Sequence, residues 1–393
     1  MQTLFSARPA WAEINLDHLA HNVRQFKELI DPDTRLMAVV KADGYGHGAV
    51  EAAKTALAGG ACSLAVAIVE EGIELRRSGI EAPILVFGYT APSLFPALVE
   101  HNLTPTIFSL DSAVQLSKQA GEQNIILPLH VKVDTGMGRL GLLPEEAVET
   151  IARIVRLPGL KVEGLYTHLA AAEEEDPSYT NEQLVLFDRI VECCREKGVT
   201  IPIIHAANSA AGIAHPHARY NLVRLGLAMY GCYPSPHLRD SRVVLLPALA
   251  FKSRVVLVKR VPPGTAISYG CTYYTDDEAL IATIPVGYGD GYSRLLSNRG
   301  QILVRGQRAP VVGRVCMDHL MADVSHIPGV HEGDEVVLYG RQGREEIEVD
   351  EVAALTGTIS YEVLCAVAKR VPRLYFRNGC LAAIRDFIND YRI

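Results

Sequence analysis

Short apolar runs and amphipathic stretches alternate along the first part of the chain. Residues 17–30, DHLAHNVRQFKELI, place Leu19, Val23, Phe26 and Ile30 on one face at helical spacing. Asp17 stands where an N-cap is expected. Eight apolar runs follow: LMAVVK (36–41), CSLAVAI (62–68), PILVF (83–87), TPTIF (104–108), LPLHVKVD (127–134), LKVEGLYTH (160–168), IPIIHA (201–206) and NLVRLG (221–226). Segments between them, such as HGAVEAAKTALAGG and EEGIELRRSG, read as amphipathic helices. Eight strands alternating with helices predict an α/β fold whose N-terminal part is a (β/α)8 TIM-type barrel. A doubly wound sheet is the competitor, but it usually has fewer strands.

The pattern changes after about residue 235. YPSPHLRDSRVVLLPALAF carries three prolines and no clean periodicity. Downstream come SRVVLVKRV, ALIATIPV, QILVRG, APVVGRV and DEVVLYG, with glycine-rich turns and few helical patterns. The expected organisation is a barrel over 1–240 and a mostly β C-terminal domain over 241–393. No solenoid period is evident, and the acidic run at 173–176 reads as a solvated loop.

Composition agrees with two domains, since one core stops growing at about 250–300 residues and the chain has 393. Apolar residues make up 49% and charged residues 21%, the balance of a soluble globular protein, and the net charge of −7 gives no sign of a nucleic-acid partner. No run is long and apolar enough to span a membrane. MQTLFSARPAWAEI lacks the basic-then-apolar order of a secretion signal. The eight cysteines show no CxxC spacing and read as free thiols in a reducing, cytoplasmic compartment.

Barrels of this type carry their chemistry at the carboxyl ends of the strands. Lys41 ends the first run, with Tyr45 in its loop; Lys132 and Asp134 end the fifth, followed by Arg139; His168 ends the sixth; His205, Asn208 and Ser209 follow the seventh; Arg224 and Gly226 close the eighth. Asn208, Ser209 and Gly226 occupy the usual barrel phosphate position. Lys41 stands alone among apolar residues and glycines, where a desolvated amine could attack an aldehyde. A phosphate site facing such a lysine suggests pyridoxal phosphate, and Gly44, Gly46 and Gly48 would let the loop pass close to it.

Plainer readings stand beside these. A strand-end lysine is commonly a surface cation, Lys132–Asp134 can be an ordinary surface strand, and a lone His168 can be a satisfied core histidine. GYGHG lacks dinucleotide-fingerprint spacing, and no GxxxxGK[ST] loop is present. His18/His21 and the HPH at 215–217 lack a third ligand at a usual spacing, so no metal is expected. Arg224 within a strand is harder to dismiss, because a buried guanidinium needs a partner.

Nine segments in order, AVVKADGYGHG, KVDTGMGRLG, THLA, HAANSAA, VRLGLAMYG, ISYGCTYYT, PVGYGDGY, GRVCMD and ISYEVLC, resemble the alanine racemase family. The resemblance implies interconversion of L- and D-alanine on pyridoxal 5'-phosphate, feeding bacterial cell-wall synthesis. It implies that Lys41 holds the cofactor as a Schiff base and serves as one base, with Tyr269 as the other on the opposite face. Arg224 would face the pyridine nitrogen with His168 behind it. Arg139 would reach the cofactor's phenolic oxygen and the substrate carboxylate, oriented by a carbamylated Lys132. Tyr45, Asn208, Ser209, Gly226, Leu227 and Tyr361 would bind the cofactor, mostly through its phosphate. Met317 would offer a backbone N–H to the substrate, and Tyr288 and Tyr361 would narrow the entrance. Tyr269, Tyr288, Met317 and Asp318 would enter a second subunit's barrel, making a homodimer with composite sites.

Cys271 and Gly289 depart from the commonest family pattern. Other readings of the same scaffold are a broader amino-acid racemase, a decarboxylase of this fold type, and a non-catalytic pyridoxal-phosphate carrier. The complete β domain with Tyr269 speaks against the last.

Overall fold

The computed structural model describes residues 9–386. They divide into two compact units, one comprising residues 19–44 and 49–246, the other residues up to 18, 45–48 and from 247 onward.

The first unit is the barrel. Its strands are β2 (Arg35–Val39), β3 (Ser63–Val66), β4 (Ile84–Val86), β5 (Thr104–Ile107), β6 (Leu127–Lys132), β7 (Leu160–Tyr166), β8 (Ile203–His205) and β9 (Leu222–Leu225). Seven of the eight lie within one of the apolar runs, and β2 begins one residue before its run, at Arg35. They form one parallel sheet in the order β8-β7-β6-β5-β4-β3-β2-β9. Two bonds join its edges into a closed ring: Asn221 N–H donates to Ile204 O at 3.4 Å and Arg224 N–H to Ala207 O at 3.1 Å. Closure buries both faces of each strand, which is why the runs are continuous rather than alternating. Helices α1 (Leu16–Leu29), α2 (Ala49–Ala58), α3 (Val69–Arg77), α4 (Phe95–Glu100), α5 (Leu110–Glu122), α6 (Pro144–Ile154), α7 (Ser178–Glu196) and α8 (Ser209–Ala214) alternate with the strands. The α1 stripe of Leu19, Val23, Phe26 and Ile30 is buried as its period requires.

The cap of α1 differs from expectation. The Asn15 side chain accepts the N–H groups of Asp17 and His18, both at 3.0 Å, so Asn15 caps the helix. Asp17 lies inside the first turn, and its carboxylate accepts the Asn378 N–H at 2.6 Å.

The second unit is mostly β. One sheet runs β14 (Gln307–Pro310), β13 (Gln301–Val304), β16 (Glu335–Gln342), β10 (Leu249–Arg254), β1 (Ala10–Asn15), β18 (Arg373–Arg377) and β19 (Cys380–Arg385), with β17 (Glu345–Ile347) on β16. A smaller sheet holds β11 (Leu257–Val261), β12 (Ala279–Ile284) and β15 (Leu320–Asp323). Helices α9 (Val349–Thr356) and α10 (Ser360–Cys365) complete it. The sequence division at 240 assigns the N-terminus to the barrel; the structure instead inserts β1 between β10 and β18. Ala10, Trp11, Ala12 and Ile14 are buried there, and Glu13 pairs with Lys252 at 2.8 Å. Local periodicity cannot reveal a partner more than 230 residues away.

His18 and His21 bond to backbone carbonyls of the segment entering the second unit, Pro247 O at 2.7 Å and Val244 O at 2.8 Å respectively. Those bonds give both rings a structural role. Among the described residues no group of three or more His, Cys, Asp or Glu is placed to hold a metal, and no helix is long and apolar enough to cross a membrane.

Candidate functional site

Strand β2 pairs with β3 up to Val40, whose N–H donates to Ala65 O at 2.9 Å. Lys41 is the next residue and is half-buried. The backbone then turns left-handed for four consecutive residues, with φ of 52° at Ala42, 54° at Asp43, 60° at Gly44 and 52° at Tyr45. Such a conformation costs an L-residue with a side chain about 1–2 kcal/mol. The Gly44 N–H closes the turn on Val40 O at 2.9 Å, and the Asp43 carboxylate accepts the Ala49 N–H at the start of α2 at 3.1 Å.

The glycines after Lys41 have a packing reason the sequence did not show. A Cβ on Gly46 would collide with the Leu364 carbonyl, and one on Gly48 with the Tyr375 hydroxyl, all within the β unit. They admit a close approach of protein to protein, whatever they also do for a ligand.

The barrel interior at the ends of β6 to β9 holds a hydrogen-bonded set of cations and imidazoles. Arg224 is buried at 3% exposure. Its Nη1 donates to His205 Nδ1 at 3.0 Å; its Nη2 donates to His168 Nδ1 at 3.1 Å, Ala206 O at 2.7 Å and Thr167 O at 3.1 Å. An arginine only donates, so both histidines accept and carry their proton on Nε2. The His205 Nε2–H then donates to His130 Nδ1 at 2.9 Å. Burial, then the Arg224 charge, holds His168 and His205 well below the usual imidazole range and His130 down to about 3. All three rings are neutral at physiological pH, and Arg224, lowered by burial to about 10, stays charged.

Tyr166 packs in the middle of this set. Its ring stacks on His205 with centroids 4.6 Å apart, and its hydroxyl bonds Thr106 Oγ1 at 2.9 Å. Arg224 Cζ lies 5.5 Å and Lys132 Nζ 5.7 Å from the ring centroid, both within cation–π range. Lys132 is 4% exposed, so the surface-strand reading of it fails. Its ammonium group makes no hydrogen bond or ion pair among the described residues. Burial first, then the charges of Arg139 and Arg224, push its ammonium down to about 8.

Asp134 offsets little of this positive charge. Partial burial works against its ionisation, but the N–H groups of Gly136, Gly138, Arg139 and Met137 hold the carboxyl below its usual range, at 2.8–3.1 Å. That loop presents the exposed Arg139 side chain. Ser209 is buried and its Oγ accepts the Gly226 N–H at 2.9 Å and the Ala228 N–H at 3.4 Å, which fixes the turn into Leu227. Asn208 caps α8 by accepting the Ala211 N–H at 2.9 Å.

In the β unit the remaining expected residues lie on loops knitted together. Ser268 Oγ donates to Arg314 O at 2.6 Å; the Tyr288 N–H donates to Cys316 O at 3.0 Å and the Gly289 N–H to Met317 O at 2.8 Å. Arg370 ties Asp290 and Asp318 at 2.8 and 2.7 Å. Tyr269, Tyr288 and Met317 are exposed at 71%, 43% and 53%. Gly289 fits this packing, since a Cβ there would lie 2.5 Å from an Arg370 nitrogen and 3.0 Å from Met317 O. Tyr45 and Tyr361 are neighbours, with ring centroids 5.9 Å apart.

Sequence reasoning missed His130 and Tyr166 and gave His205 no role. The available signal was polar residues two apart in apolar strands, His130/Lys132 and Tyr166/His168, which share a face at strand period.

These residues suit a phosphorylated aromatic aldehyde. The hydrogen bonds of the Arg224 side chain all start from its terminal nitrogens, so among the described residues its Nε–H is uncommitted and can meet a ring nitrogen. Lys41, Lys132, Arg139 and Arg224 repel one another, as the lowered Lys132 and His168 show, and an anionic ligand would relieve that repulsion.

Comparison with known proteins identifies the lineage. Residues 14–234 match the family model for the N-terminal domain of alanine racemase, and residues 248–375 match that for its C-terminal domain. The alanine racemase of Clostridium novyi is 45% identical over 383 residues, 97% of this chain and 99% of that protein. The alanine racemase of Bacillus anthracis, solved with bound L-Ala-P, aligns with a TM-score of 0.93 at 39% identity, covering 98% of this chain and 99% of that one. The Clostridium difficile 630 enzyme aligns at 0.92 and 40%, covering 97% and 99%. With both domain models matched and identity near one-half along almost the whole length, this chain belongs to the alanine racemase family of pyridoxal-phosphate-dependent isomerases.

Proposed function

We propose that this chain interconverts L- and D-alanine, using Lys41 and Tyr269 as the two bases. The observation that carries the reading is Arg224: a buried guanidinium held by two neutral histidines, with its Nε–H uncommitted, at the carboxyl end of the strand beside the one leading to Lys41. Pyridoxal 5'-phosphate, when bound, supplies an aldehyde for amines and a ring that withdraws electrons from the substrate Cα.

The chain's own residues do the rest. The Lys41 amine takes or returns the Cα proton on one face, and the Tyr269 phenol does so on the other. Inversion requires two groups on opposite faces, because a single base would return the proton where it took it. With the cofactor in place, Arg224 would donate a hydrogen bond to it through Nε while keeping its own proton at neutral pH. It would therefore limit the ring's electron withdrawal and favour quick return of the proton to Cα. His168 fixes the plane of the guanidinium. Arg139 and the Met317 N–H would hold the substrate carboxylate. Asn208, Ser209, Gly226 and Leu227, with Tyr45 and Tyr361, would hold the cofactor, and Tyr288 and Tyr361 would limit substrate size.

Lys132 has an amine near half-deprotonation at about pH 8, which suits reaction with CO2: the amine nitrogen bonds the carbon, one proton leaves, and a carbamate anion remains beside Arg139. Native intact mass 44 Da (roughly, the mass of CO2) above sequence would register it. The exposed Tyr269 fits a homodimer in which the partner subunit's Tyr269 completes each site. A cytoplasmic role supplying D-alanine for peptidoglycan fits the reading.

The test is chiral product analysis over a panel of L-amino acids with the cofactor present. Racemisation of alanine above all others is expected. Equal turnover of bulky or basic substrates would favour a broad racemase, release of CO2 a decarboxylase, and no turnover a carrier.

A further inference from the structure

Strands β2 and β3 part company at Lys41. The last ladder bond runs from Val40 N–H to Ala65 O at 2.9 Å. Beyond it one carboxylate takes over the role of the ladder. Glu71, in the first turn of α3, accepts the Ala42 N–H on Oε1 at 2.6 Å, and the N–H groups of Ala67 and Ile68 on Oε2 at 2.7 and 3.3 Å. Lys41 is thus held on both sides, by a backbone bond at Val40 and by Glu71 at Ala42. The residue that Glu71 grips is the first of the left-handed run, a conformation the chain would leave if released. Ion–dipole bonds this short are stronger than neutral ones.

We infer that Glu71 is the positioning residue for Lys41, clamping the left-handed turn to the end of the neighbouring strand so that the amine is aimed before the cofactor arrives. This rests on the reading that Lys41 bonds the cofactor. Only a carboxylate serves: a glutamine has one acceptor oxygen, and its NH2 would face an N–H at either Ala42 or Ala67. The Glu70 side chain is exposed and makes no hydrogen bond among the described residues, so it is the natural control.

The experiment compares two ligands on cofactor-stripped protein. Pyridoxal phosphate tests capture by Lys41, followed by the rise of visible absorbance. Pyridoxamine phosphate carries the same ring and phosphate but no aldehyde, and tests the cradle alone. For Glu71→Gln, capture is expected to slow about tenfold, while pyridoxamine phosphate affinity stays within about twofold of wild type. Glu70→Gln should match wild type for both. Should Glu71→Gln not fold, Glu71→Asp, with the charge on a stem one carbon shorter, is expected to slow capture in the same way. Capture at the wild-type rate, or equal loss for both ligands, overturns the clamp. If borohydride reduction of wild type labels a residue other than Lys41, the functional reading itself is overturned, and the clamp with it.

Discussion

The two units treat their chemistry-bearing residues in opposite ways. In the barrel, Arg224, His205, His130 and Lys132 are buried, and the first three are fixed by hydrogen bonds to one another. In the β unit, Tyr269, Tyr288 and Met317 are exposed, and backbone bonds tie down Tyr288 and Met317. Among the barrel groups, Arg224 and Lys132 hold desolvated charge, which stays put only when surrounding dipoles replace water. The β-unit groups are delivered on loops, which suits residues meant to meet something outside their own unit. The lesson is that the barrel carries a pre-organised polar cluster, while the β unit displays its phenol on an exposed loop.

The comparison can be broken most severely at the two proposed bases. Lys41→Ala should lower racemisation by roughly 10³-fold or more and also abolish covalent cofactor attachment. Tyr269→Phe should cost roughly 10²–10⁴-fold yet leave cofactor absorbance intact. If both variants lost the cofactor equally, the division of labour between the units would be wrong.

Acid should then act on the barrel. His130, His168 and His205 are neutral when folded but take up protons near pH 6.5 when unfolded. The unfolded state binds more protons below that pH, so stability falls as pH drops below about 6.5; for His130 the loss runs on toward about 3, by up to about 1.4 kcal/mol per pH unit. Denaturant midpoints measured across that range would show it. His130→Leu should flatten the slope, whereas Tyr269→Phe should leave it unchanged.

Smaller effects probe packing. A Cβ on Gly164 would lie 2.3–2.5 Å from three atoms of the His130 ring, so Gly164→Ala should cost about 1–3 kcal/mol by urea unfolding and disturb Arg224 through His205. At the weak end, Ala42→Gly removes left-handed strain at an entropic cost, for a net gain within about 1 kcal/mol. It should slow pyridoxal-phosphate capture if the turn's stiffness aims Lys41.

Particular residues show what could be read without coordinates. The eight barrel strands were legible because burial on both faces leaves unbroken apolar runs, and Lys41 because a lone ammonium ending such a run is conspicuous. Asp17 was misplaced as a cap because the helix starts two residues earlier, where Asn15 accepts the N–H groups of Asp17 itself and of His18. Glu71 looked like any first-turn acid, and its bond to Ala42, 29 positions away, has no sequence signature. His130 and Tyr166 were hidden inside strands that read as core.

By itself, the sequence determined the order of strands and helices, the motifs that mark the family, and which polar groups end the strands. Those follow from local periodicity and residue chemistry. Only the tertiary structure decided that β1 joins the second unit, that His205 and His130 form a neutral chain behind Arg224, and that Lys132 is buried. Each depends on groups distant in the chain meeting within a few ångströms, where desolvation and hydrogen bonding set the charge state.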